Sequence, residues 1–175
     1  MERAYLGIDV GSKGFITLRT PDGFYSFLSI EDSNEQEINN FLKQAIQNYP
    51  NVYCAMEEIH SIYGSSSKGT FSFGEINGLL KGFLIANNIP YSLVQPKKWQ
   101  DEIWEFNDKV YDYKKIETED GVKTRKTVNT KQTSFNAARR IFPNIDLRKS
   151  QRCRTIDDNK CDSLLICEYA RRKNL

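Results

Sequence analysis

The chain has 175 residues, of which 39% are hydrophobic and 27% charged, with ten Phe and nine Tyr. That is the size of one ordinary domain and enough apolar material for a core, which excludes a disordered tail. No run approaches the ~18–20 uninterrupted apolar residues of a membrane span, and a net charge of +2 speaks at face value against a strongly basic nucleic-acid binder.

Residues 4–10, AYLGIDV, read as a buried strand. No basic segment and apolar run precede it, so no export leader, no membrane partner and a cytoplasmic location are expected. Residues 11–14 form a turn, 15–19 a second strand, Pro21-Asp22-Gly23 another turn and 24–30 a third strand, which together predict an antiparallel meander. Ser33 followed by Glu35 and Glu37 marks a helix start. Ile38, Phe41, Leu42, Ala45 and Ile46 recur at helical spacing until Tyr49-Pro50. A strand over 52–57, a polar loop over 61–70, a helix over 71–88 and a short strand over 90–94 follow. Asp120-Gly121, flanked by β-branched residues, predicts a protruding hairpin-like insertion at about 105–130. Helices over 130–142 and 157–172 complete the pattern. The order predicts a single α/β domain over 1–175, with a mixed sheet of three antiparallel and then parallel strands flanked by helices.

The charge is unevenly spread. Residues 1–96 hold six Lys and Arg against ten Asp and Glu, and residues 97–175 hold nineteen against thirteen. Within 123–154 ten basic residues face one acid, Asp146. Such a stretch is either a solvated face or the footprint of a polyanion binder. Its Arg148, Lys149, Arg152 and Arg154 suit backbone phosphates. Cys54, Cys153, Cys161 and Cys167 form no CxxC pair and there is one His, so no structural zinc site is expected and a reducing compartment is.

Several carboxylates stand in positions that need explaining. Asp9 lies in an apolar strand, on the face opposite Leu6, Ile8 and Val10, where a lone charge requires a partner, a metal or a strand end. Glu57 and Glu58 end the strand VYCAMEEIH and point to opposite faces, so only one can join Asp9 on a given side. Asp158 and Asp162 are one helical turn apart and stack on one face, whereas Asp157 points away at ~140° from Asp162. Acids at a helix start also complement its dipole. Strand-borne and helix-borne carboxylates beside a basic stretch predict a divalent-metal site facing a phosphodiester.

The motifs resemble those of RuvC-type Holliday-junction resolvases of the ribonuclease-H-like fold, closest to the branch found in phages and plant chloroplasts. LGIDVG resembles that family's first strand with its catalytic Asp, here Asp9. AMEEIH resembles its second acidic strand, which selects Glu57. FSFGEINGLLKG followed by IPYSLVQPKKWQ resembles the family's glycine-bearing helix and the strand end after it. DDNKCDSLLICEYARR resembles its last helix, which places two further metal ligands at Asp158 and Asp162. The resemblance implies two Mg²⁺ (or Mn²⁺) ions per site, a basic residue near the scissile phosphate at Lys131, four-way branched DNA as substrate, a homodimer, and action in the cytoplasm, that of the host for a phage-borne chain. His60 stands where the family often carries a base-stacking aromatic, and Lys68 lies in a loop, 65–69, expected to meet DNA. Asp157 and Asn159 depart from the family's pattern, and Asp157 could take over metal contact from Asp158. The 105–130 insertion is longer than the family's usual connection.

Three alternatives compete. A nuclease of the same fold could act on RNA–DNA hybrids or flaps, and a binding module could hold branched DNA without cutting. GIDVGSKG also resembles the phosphate-binding turn of sugar-kinase and actin-like ATPases, but 175 residues leave no room for that fold's second lobe.

Overall fold

The computed structural model describes residues 3–58, 66–118 and 121–175. Strands β1 (Ala4–Asp9), β2 (Phe15–Arg19) and β3 (Tyr25–Ser29) form the antiparallel meander. Helix α1 (Glu35–Asn48) leads to β4 (Val52–Glu57), which pairs parallel to β1 with Ala4 opposite Val52 and Ile8 opposite Met56. Helix α2 (Ser67–Ala86) precedes β5 (Tyr91–Val94), parallel to β4. The sheet order is β3-β2-β1-β4-β5. Helix α3 (Pro96–Ile103), a 3-10 turn (Phe106–Asp108), the two-stranded hairpin of β6 (Tyr111–Thr118) and β7 (Gly121–Val128), and helices α4 (Thr130–Ile141) and α5 (Asp158–Lys173) follow. This is the expected mixed sheet with helices on both faces.

Strand alternation sorts the core into two layers. Leu6, Ile8, Ile16, Leu18, Cys54 and Met56 pack on Ile38, Leu42 and Ala45 of α1 and on Leu80 and Leu84 of α2. Tyr5 and Ala55 point the other way, onto Trp99, Ala137 and the Cys161–Ala170 stretch of α5. Helix α5 crosses β1 so closely that a Cβ on Gly7 would collide with the backbone N of Cys167 and O of Ser163. The buried Thr17 and Ser163 hydroxyls bond at 2.7 Å, and the Cys167 thiol donates to the Tyr5 carbonyl at 3.2 Å. Asp9, one full strand repeat beyond Gly7, therefore emerges under the start of α5.

Element boundaries differ from expectation in three places. Helix α1 is capped by Asn34 rather than Ser33, through a reciprocal capping box with Glu37. Helix α2 begins at Ser67, four residues early, because the Ser66 hydroxyl accepts from the Gly69 amide and starts the helix inside a stretch whose Ser and Gly content reads as loop. Helix α3 was not expected at all. Pro96 at its first turn fixes φ for helix entry, and Trp99 and Ile103, one turn apart, are its buried residues.

Candidate active site

Three elements deliver carboxylates to one end of the sheet. Asp9 ends β1 and is only 8% exposed. Glu57 ends β4 on the same face as Ala55, toward α5, while Glu58 takes the parity of Cys54 and Met56, toward α1 and α2. Trp99 Nε1 donates to Glu57 Oε1 at 2.9 Å and fixes that side chain. Asp158 and Asp162 open α5. Asp157 is the helix cap, accepting from the Lys160 amide at 3.0 Å, which gives its carboxylate a structural task outside the cluster of four.

The electrostatics tie the four together. Burial raises the Asp9 carboxyl well above its ordinary range, and the charges of Asp162, Glu57, Asp158 and Asp157 push it further. Asp162 is pushed up to about 7, by burial first, then by Glu57 and Asp158, against a downward pull from the Ser134 hydroxyl and Lys131. Burial also raises Glu57, with the Trp99 bond opposing. The Asp162 Oδ1 atom is sealed from solvent without a hydrogen-bond donor. A buried carboxylate oxygen with no donor, beside three other acids, is the condition that a hard divalent cation relieves. Among the described residues, however, no three such side chains already stand as a ligand cluster. Protein groups engage two of them instead: Trp99 donates to Glu57, and Lys131 Nζ lies 2.5 Å from Asp158 Oδ2. Lys131 occupies the first turn of α4 and lines a small cavity of about 290 Å³ with Gln132, Phe135, Ile156 and Asp158.

The expected DNA-facing residues divide. His60 lies outside the described residues. Lys68 sits, exposed, in the first turn of α2 rather than in a loop. Arg148 forks onto Asp146 (2.9 and 2.7 Å), and Lys149 pairs with Glu31 and Asp32 (2.5 and 2.9 Å). Arg152 and Arg154 are exposed and make no ion pair among the described residues. Sequence reasoning missed the roles of Trp99 and Ser134 beside the acids. For Trp99 the signal was its place just past β5.

No protein-family model and no curated protein matches the chain. Solved structures do. Thermus thermophilus RuvC in complex with Holliday junction substrate superposes with a TM-score of 0.55 at 11% identity, covering 98% of this chain and 96% of that one. A second Thermus thermophilus RuvC structure gives 0.51 at 13% identity over the same shares. The fold is RuvC-like. No helix among the described residues is long and apolar enough to cross a membrane.

Proposed function

We propose that the protein is a metal-dependent endonuclease that resolves four-way DNA junctions by paired symmetric nicks, akin to the phage and chloroplast branch of the RuvC-type resolvases. The observation that supports this reading most is the delivery of Asp9, Glu57, Asp158 and Asp162, from two strands and one helix, to one end of a RuvC-like sheet, near enough for the other three charges to act on Asp9. The solved neighbour bound to a Holliday junction supplies the substrate class.

The four carboxylates would hold Mg²⁺ or Mn²⁺, two ions per site, which would activate a water and stabilise the leaving oxygen of an in-line displacement. The protein's own groups do the rest. Asp9 and Glu57 sit on adjacent parallel strands, so their spacing is fixed by the sheet. Trp99 keeps Glu57 turned toward the cluster. Lys131 pairs with Asp158 in the free protein, and the same ammonium could pair instead with a substrate phosphate. The products would be a 5′-phosphate and a 3′-hydroxyl. Because a four-way junction has two-fold symmetry, paired nicks need two active sites and hence a C2 dimer.

Offering the protein a mobile four-way junction, a duplex, a flap and an RNA–DNA hybrid, with Mg²⁺ and with EDTA, tests the proposal. Symmetric, metal-dependent nicking of the junction is expected. Preference for the hybrid or the flap would assign the site to another nuclease class, and cutting in EDTA would remove the metal from the account. Asp9→Asn is expected to abolish cutting while retaining junction binding, measured by gel shift. Equal loss of both would make Asp9 a structural residue.

A further inference from the structure

The β6–β7 hairpin has no part in the site described above. Its eight rungs run from Tyr111 opposite Val128 to Thr118 opposite Gly121. Every side chain at 112–117 and 122–126 is exposed, including Tyr113 at 64% and Val122 at 65%. A two-stranded ribbon with no core on either face is marginal in water.

Its root, by contrast, is clamped. The Asn129 amide donates to the Val110 carbonyl at 2.8 Å, and the Val110 amide to Thr133 Oγ1 of α4 at 3.1 Å. Beneath it the Arg140 guanidinium of α4 forks onto Asp108 (3.0 and 2.7 Å) and reaches the Ile103 carbonyl at 3.0 Å, and the Asn136 amide donates to the Asp108 carbonyl. Asn129 then caps α4, two residues before the Lys131 that touches Asp158. A bare blade is thus rooted firmly beside the acidic cluster.

The charges on the blade say what it takes. Lys114 lies directly opposite Arg125, and like charges so placed repel. Lys115 and Lys126 point to the other face, where Lys126 lies over the Tyr111 ring at 3.7 Å. None of these four cations has a carboxylate partner among the described residues. The middle rungs, with Lys114, Lys115, Arg125 and Lys126, therefore gather the cations that a polyanion would need.

We propose that the β6–β7 hairpin is a DNA arm that grips the phosphate backbone of a junction branch next to the cut, with Lys114 and Arg125 straddling phosphates and Lys115 and Lys126 serving the other face. Resting on the nuclease reading, it adds where the substrate lies. At ~3.4 Å per residue, the four steps from Tyr111 to Lys115 cover about 14 Å, or roughly four nucleotides of one strand.

The test measures binding to a four-way junction and to a matching duplex in EDTA as a function of salt, for the parent and for K114Q/R125Q. Removing a repelling pair leaves the fold at least as stable, so the variant is expected to melt no lower than the parent. It is expected to bind the junction roughly tenfold more weakly at low salt, with a slope of log affinity against log salt shallower by nearly 2. Restoring charge with Lys114→Arg alone is expected to keep parental binding. Unchanged affinity and slope in K114Q/R125Q, with a parent that binds junctions, overturns the arm and leaves the nuclease reading standing. A changed sedimentation mass without DNA, at unchanged DNA affinity, would give the blade to a second copy and also overturn it. A parent that binds no DNA overturns both.

Discussion

Asp162 couples the site to the stability of the fold. Its carboxyl titrates at about 7 in the folded chain, with burial as the first cause, against ~3.9 for an unfolded Asp. A raised folded value means that the neutral acid stabilises: the contribution is complete below about pH 4 and is lost as pH rises through about 7. At about 1.4 kcal/mol per pH unit between the two values, the loss is roughly 2–4 kcal/mol. Thermal melts in EDTA are expected to fall as pH rises from about 4 to about 7, and Asp162→Asn to remove most of that fall and to melt above the parent at pH 8. Asp9, raised for the same reason, accounts for a residual slope. Adding Mg²⁺ at pH 8 is expected to raise the parent's melting point and to leave Asp162→Asn largely unmoved. Parallel pH curves for the two proteins would mean that Asp162 is not the strained acid. Of the candidate site, the parity of Asp9 and the one-turn spacing of Asp158 and Asp162 were legible from strand and helix periods. The choice of Glu57 over Glu58 needed the resemblance. The part played by Ser134 was not legible, because it arrives from α4 and nothing local in its sequence records a contact made across the fold; for Trp99 only its place just past β5 pointed there.

At the scale of elements, the approach of α5 to β1 sets the geometry of the site. Gly7 is the residue that permits it, since its Cβ would meet main-chain atoms, which cannot rotate aside. Gly7→Ala is expected to cost about 3 kcal/mol or more in urea unfolding, at the upper end of overpacking effects. A loss under about 1 kcal/mol would show that α5 can lift off the sheet. The clamp under the hairpin is a second such joint. Asp108 is nearly buried and held low by the Arg140 guanidinium, against a burial that would raise it. Arg140→Ala strands that charge and is expected to destabilise the fold by about 2–4 kcal/mol near neutral pH. The deficit should shrink as acid protonates Asp108, because a depressed carboxylate stabilises only above its unfolded value. Chemical denaturation at pH 7 and pH 4 reads both. The elements that sequence made legible are those whose signal is long or sharp: the Pro21-Asp22-Gly23 turn and the five-point stripe of α1. Helix α3 was not legible because eight residues with two buried positions fall short of the ~11–18 over which a helical period can be told from chance.

For the whole molecule, the net charge of +2 describes neither end of the chain's business. Acids gather at the end of the sheet while Lys114, Lys115, Arg125, Lys126, Arg152 and Arg154 stand outside it, and the DNA of the proposed reaction would meet the local charges rather than their sum. The proposed two-fold assembly also needs a surface, and α2 offers one. Phe71, Gly74, Gly78, Gly82 and Ile85, at steps of three and four, form one stripe of that helix. Phe71 is 73% and Ile85 64% exposed, and a Cβ at any of the three glycines would meet nothing within 4 Å. Three interior glycines each cost a helix about 1 kcal/mol against Ala, and this chain's own sheet gains nothing from their smallness. A second α2 crossing at close range would. If the pair forms there, sedimentation of the parent gives twice the 20.3 kDa chain mass, and Gly78→Arg gives the single mass with an unchanged circular-dichroism spectrum. On a supercoiled plasmid carrying a cruciform, the parent is then expected to yield linear product from paired cuts, and Gly78→Arg mainly nicked circles. A Gly78→Arg protein that still sediments as a pair and still linearises the plasmid would move the two-fold interface away from α2.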